Sequence, residues 1–223
     1  MLNRTSLSIL IVIITAIWAA GLWVLGIPLS WDHAKPYTFT VTAVTLLLWL
    51  FETHLWRREP FRRFVKTPDI QGTWRVQLCS TYVNPTTGEQ ASSLLAYVSV
   101  RQKLSHLSLR LMTIESSSHL ITHALLFPDE QIAELTGVYQ SDPLIHLRGK
   151  VSEIHYGAFK VRISGYPVDR IEGHYWTDRN TTGSIRYVER RTEICDRYDT
   201  AENLFSASSP SRGAKPRKGS LAE

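Results

Sequence analysis

The sequence predicts two N-terminal transmembrane α-helices followed by an all-β, roughly eight-stranded antiparallel barrel in up-and-down order. Three observations carry that reading. The first quarter of the 223 residues holds two apolar runs. A cluster of basic residues follows them at 57–66. From there to about Arg191, short segments alternate polar and apolar residues between turn-forming sequences.

The first apolar run, Leu7 to Leu29, is 23 residues without a charge. That is enough to cross a hydrocarbon core of roughly 30 Å, and too long for the apolar region of a cleaved signal peptide, about 7–15 residues. After SWDHAKPY comes TFTVTAVTLLLWLFETHLW. Its charge-free part, Thr38 to Phe51, reaches spanning length only by running on to Trp56, with Glu52 and His54 at the interface. A core helix of a soluble domain is the alternative for so short a run. Trp49 and Trp56 suit a membrane interface, and the short connector favours a helical hairpin.

Arg57, Arg58, Arg62, Arg63 and Lys66 follow, opposed by Glu59. Basic flanks mark the cytoplasmic side of a span. The expected protein is therefore multi-pass, with its N-terminus and barrel cytoplasmic and its basic cluster against anionic headgroups. The expected organisation is a hairpin at 5–56, a basic linker at 57–68, a barrel at 69–191 and a disordered tail at 192–223. The tail ends SASSPSRGAKPRKGSLAE, a composition that does not build a core.

Strands are expected at 70–80, 94–104, 107–115, 118–127, 132–140, 144–152, 156–164, 171–177 and 183–190. Turn sequences separate them, among them Asn84-Pro85-Thr86-Thr87-Gly88, in the longest gap and the expected flexible lip, and Asn180-Thr181-Thr182-Gly183. About eight strands enclose room for side chains or one small ligand. Alternation places Trp74, Val76 and Leu78 on one face, and Ala96, Val98 and Val100 on another with Gln102 as its polar member. Two rows, His146/Arg148/Lys150 and Tyr156/Lys160/Arg162, read as solvated outer faces; turned inward they would make the cavity cationic.

The chemistry of catalysis is missing. There is no P-loop, G-x-S-x-G, H-E-x-x-H or G-x-G-x-x-G. His119 and His123 are four apart, which in a strand separates them by about 13 Å at 3.3 Å per residue. Cys79 and Cys195 have no metal or redox spacing and read as reduced thiols. No catalytic residue, metal or cofactor is expected. The net charge of +5 comes with two basic clusters, one explained by a membrane surface and one by a solvated tail, so no DNA or RNA partner is expected. The chain reads as a binding module rather than an enzyme.

Two stretches go beyond a generic barrel. One is Ile70-Gln71-Gly72-Thr73-Trp74. The other combines His155-Tyr156-Gly157 with Gly173-His174-Tyr175-Trp176-Thr177-Asp178-Arg179 and Gly183. The G-x-W opening is shared by lipocalins and fatty-acid-binding proteins. Taken with the two apolar runs and the arginines, the whole resembles the two-transmembrane, β-strand-rich effectors of bacterial CBASS antiphage signalling, over about 5–190. The resemblance implies a lipocalin-like barrel that binds a cyclic dinucleotide made by a partner CD-NTase. It further implies self-oligomerisation, contact with inner-membrane lipids, membrane disruption and abortive infection.

Such a ligand needs donors for its phosphates and aromatic faces for its bases. Arg179 is the candidate for a phosphate, because a guanidinium makes a bidentate fork. Tyr175, Trp176 and Tyr139 are stacking candidates, although Tyr175 and Trp176, as neighbours in a strand, cannot both face the cavity. Thr177, Gln102, Thr113 and Ser117 are hydrogen-bonding candidates, and His155 either touches a phosphate or caps a strand. Structural roles compete: Trp74 as barrel floor, Gly173 and Gly183 for close packing, Arg179 on a turn carbonyl or over Trp74. Two other functional readings stay open. One is a membrane-anchored, lipocalin-like carrier of a lipid or apolar small molecule, which a purely apolar interior would favour. The other is a structural anchor that recruits a protein.

Overall fold

The computed structural model describes residues 4–28, 30–82, 88, 93–129, 132–147 and 153–207. It divides into two compact units: Met1–Asp69 with Gln102–Leu107, and Ile70–Arg101 with Ser108–Glu223.

The first unit contains α1 (Arg4–Val24) and α2 (Trp31–Thr53), then 3-10 turns at Leu55–Arg57 and Phe61–Phe64. The two helices meet where Trp18 stacks on Tyr37, centroids 4.4 Å apart, and where Thr15 hydrogen-bonds the Tyr37 hydroxyl. Neither expected span is found: among the described residues no helix is long and apolar enough to cross a membrane. This corrects the two transmembrane helices of the expected fold and, with them, the multi-pass inner-membrane placement and its orientation. The first apolar run does not stay in one helix. α1 ends at Val24 and the chain turns at Gly26, φ 65°. α2 takes the polar WDHAKPY into its first two turns and Glu52 into its last.

The arginine cluster is engaged partly within the unit. Trp56 is buried, and the Arg57 guanidinium lies 4.8 Å from its ring centroid. Arg57 donates to Gln102 O and approaches Asp69 at 3.5 Å. Arg63 pairs with Glu59 one turn away at 3.2 Å. The helices keep many large apolar side chains exposed, including Ile13, Ile17, Trp23, Phe39, Leu47 and Trp49.

The strands are β1 (Gly72–Ser80), β2 (Leu94–Gln102), β3 (Leu107–Met112), β4 (Ser116–Leu126), β5 (Ile132–Pro143), β6 (His155–Ser164), β7 (Arg170–Thr177) and β8 (Thr182–Arg191). Each lies beside its successor, and β8 closes antiparallel onto β1. The eight-stranded up-and-down barrel expected from the alternation is thus present. The described part of the ninth expected strand, 144–152, is not extended. It holds a 3-10 turn at Ile145–Leu147, and 148–152, with Arg148 and Lys150, lie outside the described residues. Most of the expected lip at 81–93 lies outside them too.

The opening Gly-Thr-Trp divides three tasks. Gly72 has φ 129° and lets the β1 backbone meet β8, where a Cβ would stand 2.2 Å from Arg191 O. Trp74 points inward as the floor, its Nε1 donating to Ile70 O at 2.9 Å and its ring edge-on to Tyr187. The cation over Trp74 is Arg190, 5.5 Å from the ring centroid and fixed by donating to Gln71 O. Thr73 points outward yet is fully buried, because the chain after β8 returns over it. Its hydroxyl donates to Glu193 O at 2.7 Å and accepts from Cys195 N at 3.0 Å.

That returning chain forms α3 (Tyr198–Ser206), so the described part of the segment expected to be a disordered tail carries a helix. Phe205 stacks on Tyr97 of β2 at 5.4 Å and, with Ala201, Met112 and Cys195, makes a cluster on the outside of the barrel. Arg101 adds a bidentate pair to Asp196, both bonds 2.9 Å, which holds the Asp196 carboxyl below the usual carboxylate range. Phe205→Ala is expected to cost about 3 kcal/mol or more and to open α3. The check is thiol labelling: buried Cys195 should become reactive beside exposed Cys79, and continued protection would show that Phe205 does not hold the helix.

In the Tyr156/Lys160/Arg162 row the two cations face outward. Glu134, its side chain 10% exposed, accepts from Lys160 at 2.7 Å and Arg162 at 3.1 Å across β5 and β6. The hydrogen bond from Lys160, chiefly, lowers the Glu134 pKa. A depressed folded pKa means its stabilisation is complete above the unfolded value, about 4.3, and is lost as pH falls through the folded value. Glu134→Gln should flatten the loss of unfolding free energy in that acid window, measured by urea titration at a series of pH values.

Candidate binding cavity

The odd strands run toward one end of the barrel and the even strands start there, so Ser80, Ser116, Pro143, His155, Thr177 and Thr182 lie at a common mouth. Below it a cavity of about 220 Å³ occupies the upper interior. Leu78, Val98, Leu109, Leu111, Phe159 and Ile185 give it apolar walls. The other nine of its fifteen lining residues carry a hydroxyl or an imidazole, and none carries a full-time charge. Among the described residues Lys160 and Arg162, which would have made the interior cationic had they faced inward, are turned out to Glu134.

Of the four Phe and Tyr rings that line the cavity, all but Tyr187 lie across from a glycine. Tyr139 pairs with Gly157, Phe159 with Gly137, and Tyr175 with Gly183. A Cβ at Gly157 would stand 2.3 Å from the Tyr139 hydroxyl, and one at Gly183 would stand 2.6 Å from the Tyr175 ring. Each ring lies flat over a bare stretch of neighbouring strand, which keeps the centre open. Burial pushes the Tyr139 phenol up to about 12 and raises Tyr175. Both stay neutral at physiological pH and offer a hydroxyl that donates and accepts.

Four of the residues proposed from sequence line this cavity: Tyr139, His155, Tyr175 and Thr177. His155 Nδ1–H donates to Glu153 O at 3.1 Å. Thr177 Oγ1 and Thr181 Oγ1 are 2.6 Å apart at the rim. Arg179 is not a lining residue; it sits in the turn after β7 and donates to the same Glu153 carbonyl, the turn-carbonyl role foreseen as its alternative.

The other three are placed elsewhere. Gln102 ends β2, four residues past the lining Val98, with its side-chain amide donating to Pro68 O at 2.9 Å. Thr113 closes the β3–β4 turn, its hydroxyl accepting from Ser116 N at 2.9 Å. Ser117 is one residue out of phase: Ser116 and Ser118 line the cavity, so alternation turns Ser117 away. Sequence reasoning did not propose the lining residues Ser116, Ser118, Ser141, Thr181 and Tyr187. A run of three serines has no apolar partner to set its phase. The register supplies it, since Ser118 pairs with Ser141 and both are buried.

Residues 65–189 match the family model described as Cap15, cyclic dinucleotide receptor domain. The CD-NTase-associated protein 15 of Staphylococcus schleiferi is 25% identical over 178 residues, 80% of this chain and 86% of that protein.

Proposed function

The chain belongs to the Cap15 cyclic dinucleotide receptor family, and on that premise we propose that its barrel binds a cyclic dinucleotide as the sensor of a CBASS effector. The observation that carries the reading is the hydroxyl-lined cavity opening between Tyr139 and Tyr175 at the mouth of a closed barrel. Tyrosine faces suit bases, each stack being worth about 1–3 kcal/mol. Serine, threonine and His155 suit base edges and ribose hydroxyls. Arg179, beside the mouth, suits a phosphate. The protein acts by binding, without catalysis.

Occupancy of the barrel promotes self-association, for which the exposed apolar residues of α1 and α2 supply surface. The membrane-disrupting step implied by the resemblance has no span to act through among the described residues and is not part of this reading.

The test is thermal unfolding and sedimentation of the full chain with cyclic di-AMP, cyclic di-GMP, cyclic di-UMP and their mixed-base counterparts. A ligand at a hundred times its dissociation constant adds about 2.7 kcal/mol of stability. One member should raise the melting temperature and the sedimentation coefficient together. A rise in melting temperature at constant size would remove self-association, and no shift with any member would remove the receptor reading.

A further inference from the structure

A second concavity, of about 420 Å³, lies on the outer face of β7, β8 and β1 beside the mouth. Its walls include Cys79, Thr182 and Ser184, and one side is the outward pair His174 and Trp176, centroids 5.7 Å apart and stacked at 30°. Trp176 is still 44% exposed. Tyr175 lines both this groove and the inner cavity. Thr181 lines the inner space and Thr182 the outer, so the two are separated by the start of one strand. At Gly183 that strand has no side chain.

Size adds a second argument. The inner cavity, about 220 Å³, falls below the roughly 300–1,000 Å³ of pockets that enclose a drug-sized ligand. A cyclic dinucleotide carries two bases on opposite sides of one ribose–phosphate ring. The inner cavity suits one base, and it lacks the permanent cations that enclosed phosphates would demand.

We propose that the ligand straddles the rim: one base enters the barrel against Tyr139 and Tyr175, and the other stacks on Trp176 in the outer groove. The ribose–phosphate ring then crosses at Thr181–Gly183, near Arg179 and in contact with water. This rests on the receptor reading above and adds to it a second base site on the outside of the wall. It makes β7 the reader of both bases, with Tyr175 facing in and Trp176 facing out.

The test uses the full chain and whichever cyclic dinucleotide of the panel binds the wild type. Trp176→Ala should weaken binding about 5- to 150-fold, the worth of one base–aromatic stack, and Trp176→Phe should restore most of it. Saturating ligand should slow alkylation of Cys79, the exposed thiol in the groove, several-fold. Wild-type affinity in Trp176→Ala with unchanged Cys79 labelling would overturn the outer site and leave the inner one standing. If no cyclic dinucleotide binds the wild type, the receptor reading fails first, and the two failures are distinguished.

Discussion

Gly72→Ala is expected to destabilise the barrel by about 3 kcal/mol or more, among the largest effects of any single substitution. Two costs combine. The backbone there has φ 129°, outside the range open to an L side chain, and such a conformation alone costs on the order of 1–3 kcal/mol. The new Cβ would also stand 2.2 Å from Arg191 O, a backbone atom that cannot rotate aside. Relief requires β1 and β8 to part at their first pair, Thr73 with Arg191. That movement pulls on the Thr73 bonds to 193–195 and on the Trp74–Arg190 floor together. Urea unfolding of the wild type and variant measures the difference. A loss below about 1 kcal/mol would mean that the β1–β8 closure is looser than described.

Ser118→Leu should remove ligand binding while leaving the fold intact. Ser118 is buried, lines the cavity and pairs across the sheet with Ser141, another lining residue. The leucine side chain projects into about 220 Å³ of space otherwise bounded by Leu109, Leu111 and Tyr139. Because the space exists, filling it avoids much of the 1–3 kcal/mol, roughly, that overpacking a full core costs. A fall in affinity of about a hundredfold or more, with an unfolding midpoint near or above that of the wild type, is the expected pair of results. Undiminished binding would place the ligand outside the cavity.

The barrel was legible because the early strands have an apolar face. Trp74, Val76 and Leu78, or Val98 and Val100, announce their phase, and all are buried. The site was harder to read for the same reason. Its polar lining breaks the alternation that reveals facing, so Ser117 was chosen over Ser116 and Ser118. Gln102, proposed because it is polar on an apolar face, lies outside the cavity lining and donates to Pro68 O. The tyrosines were found by chemistry, whereas their glycine partners needed the register: nothing in the sequence alone says that Gly157 lies across from Tyr139. α3 went unseen because nine residues of weak propensity gain their stability from Tyr97 and Met112, far away in sequence. The expected spans failed on helix ends. Composition showed an apolar run from Leu7 to Leu29, but α1 stops at Val24 before the turn at Gly26, and α2 starts in the polar residues ahead of the second run.

Calorimetric titration of the full chain with the cyclic dinucleotide panel, repeated on Ser118→Leu, tests the central claim most directly. The account predicts saturable binding of at least one member, one ligand per barrel, and its loss in the variant. A folded wild-type protein that takes up no member even at millimolar concentration, or a variant that binds as the wild type does, would contradict it.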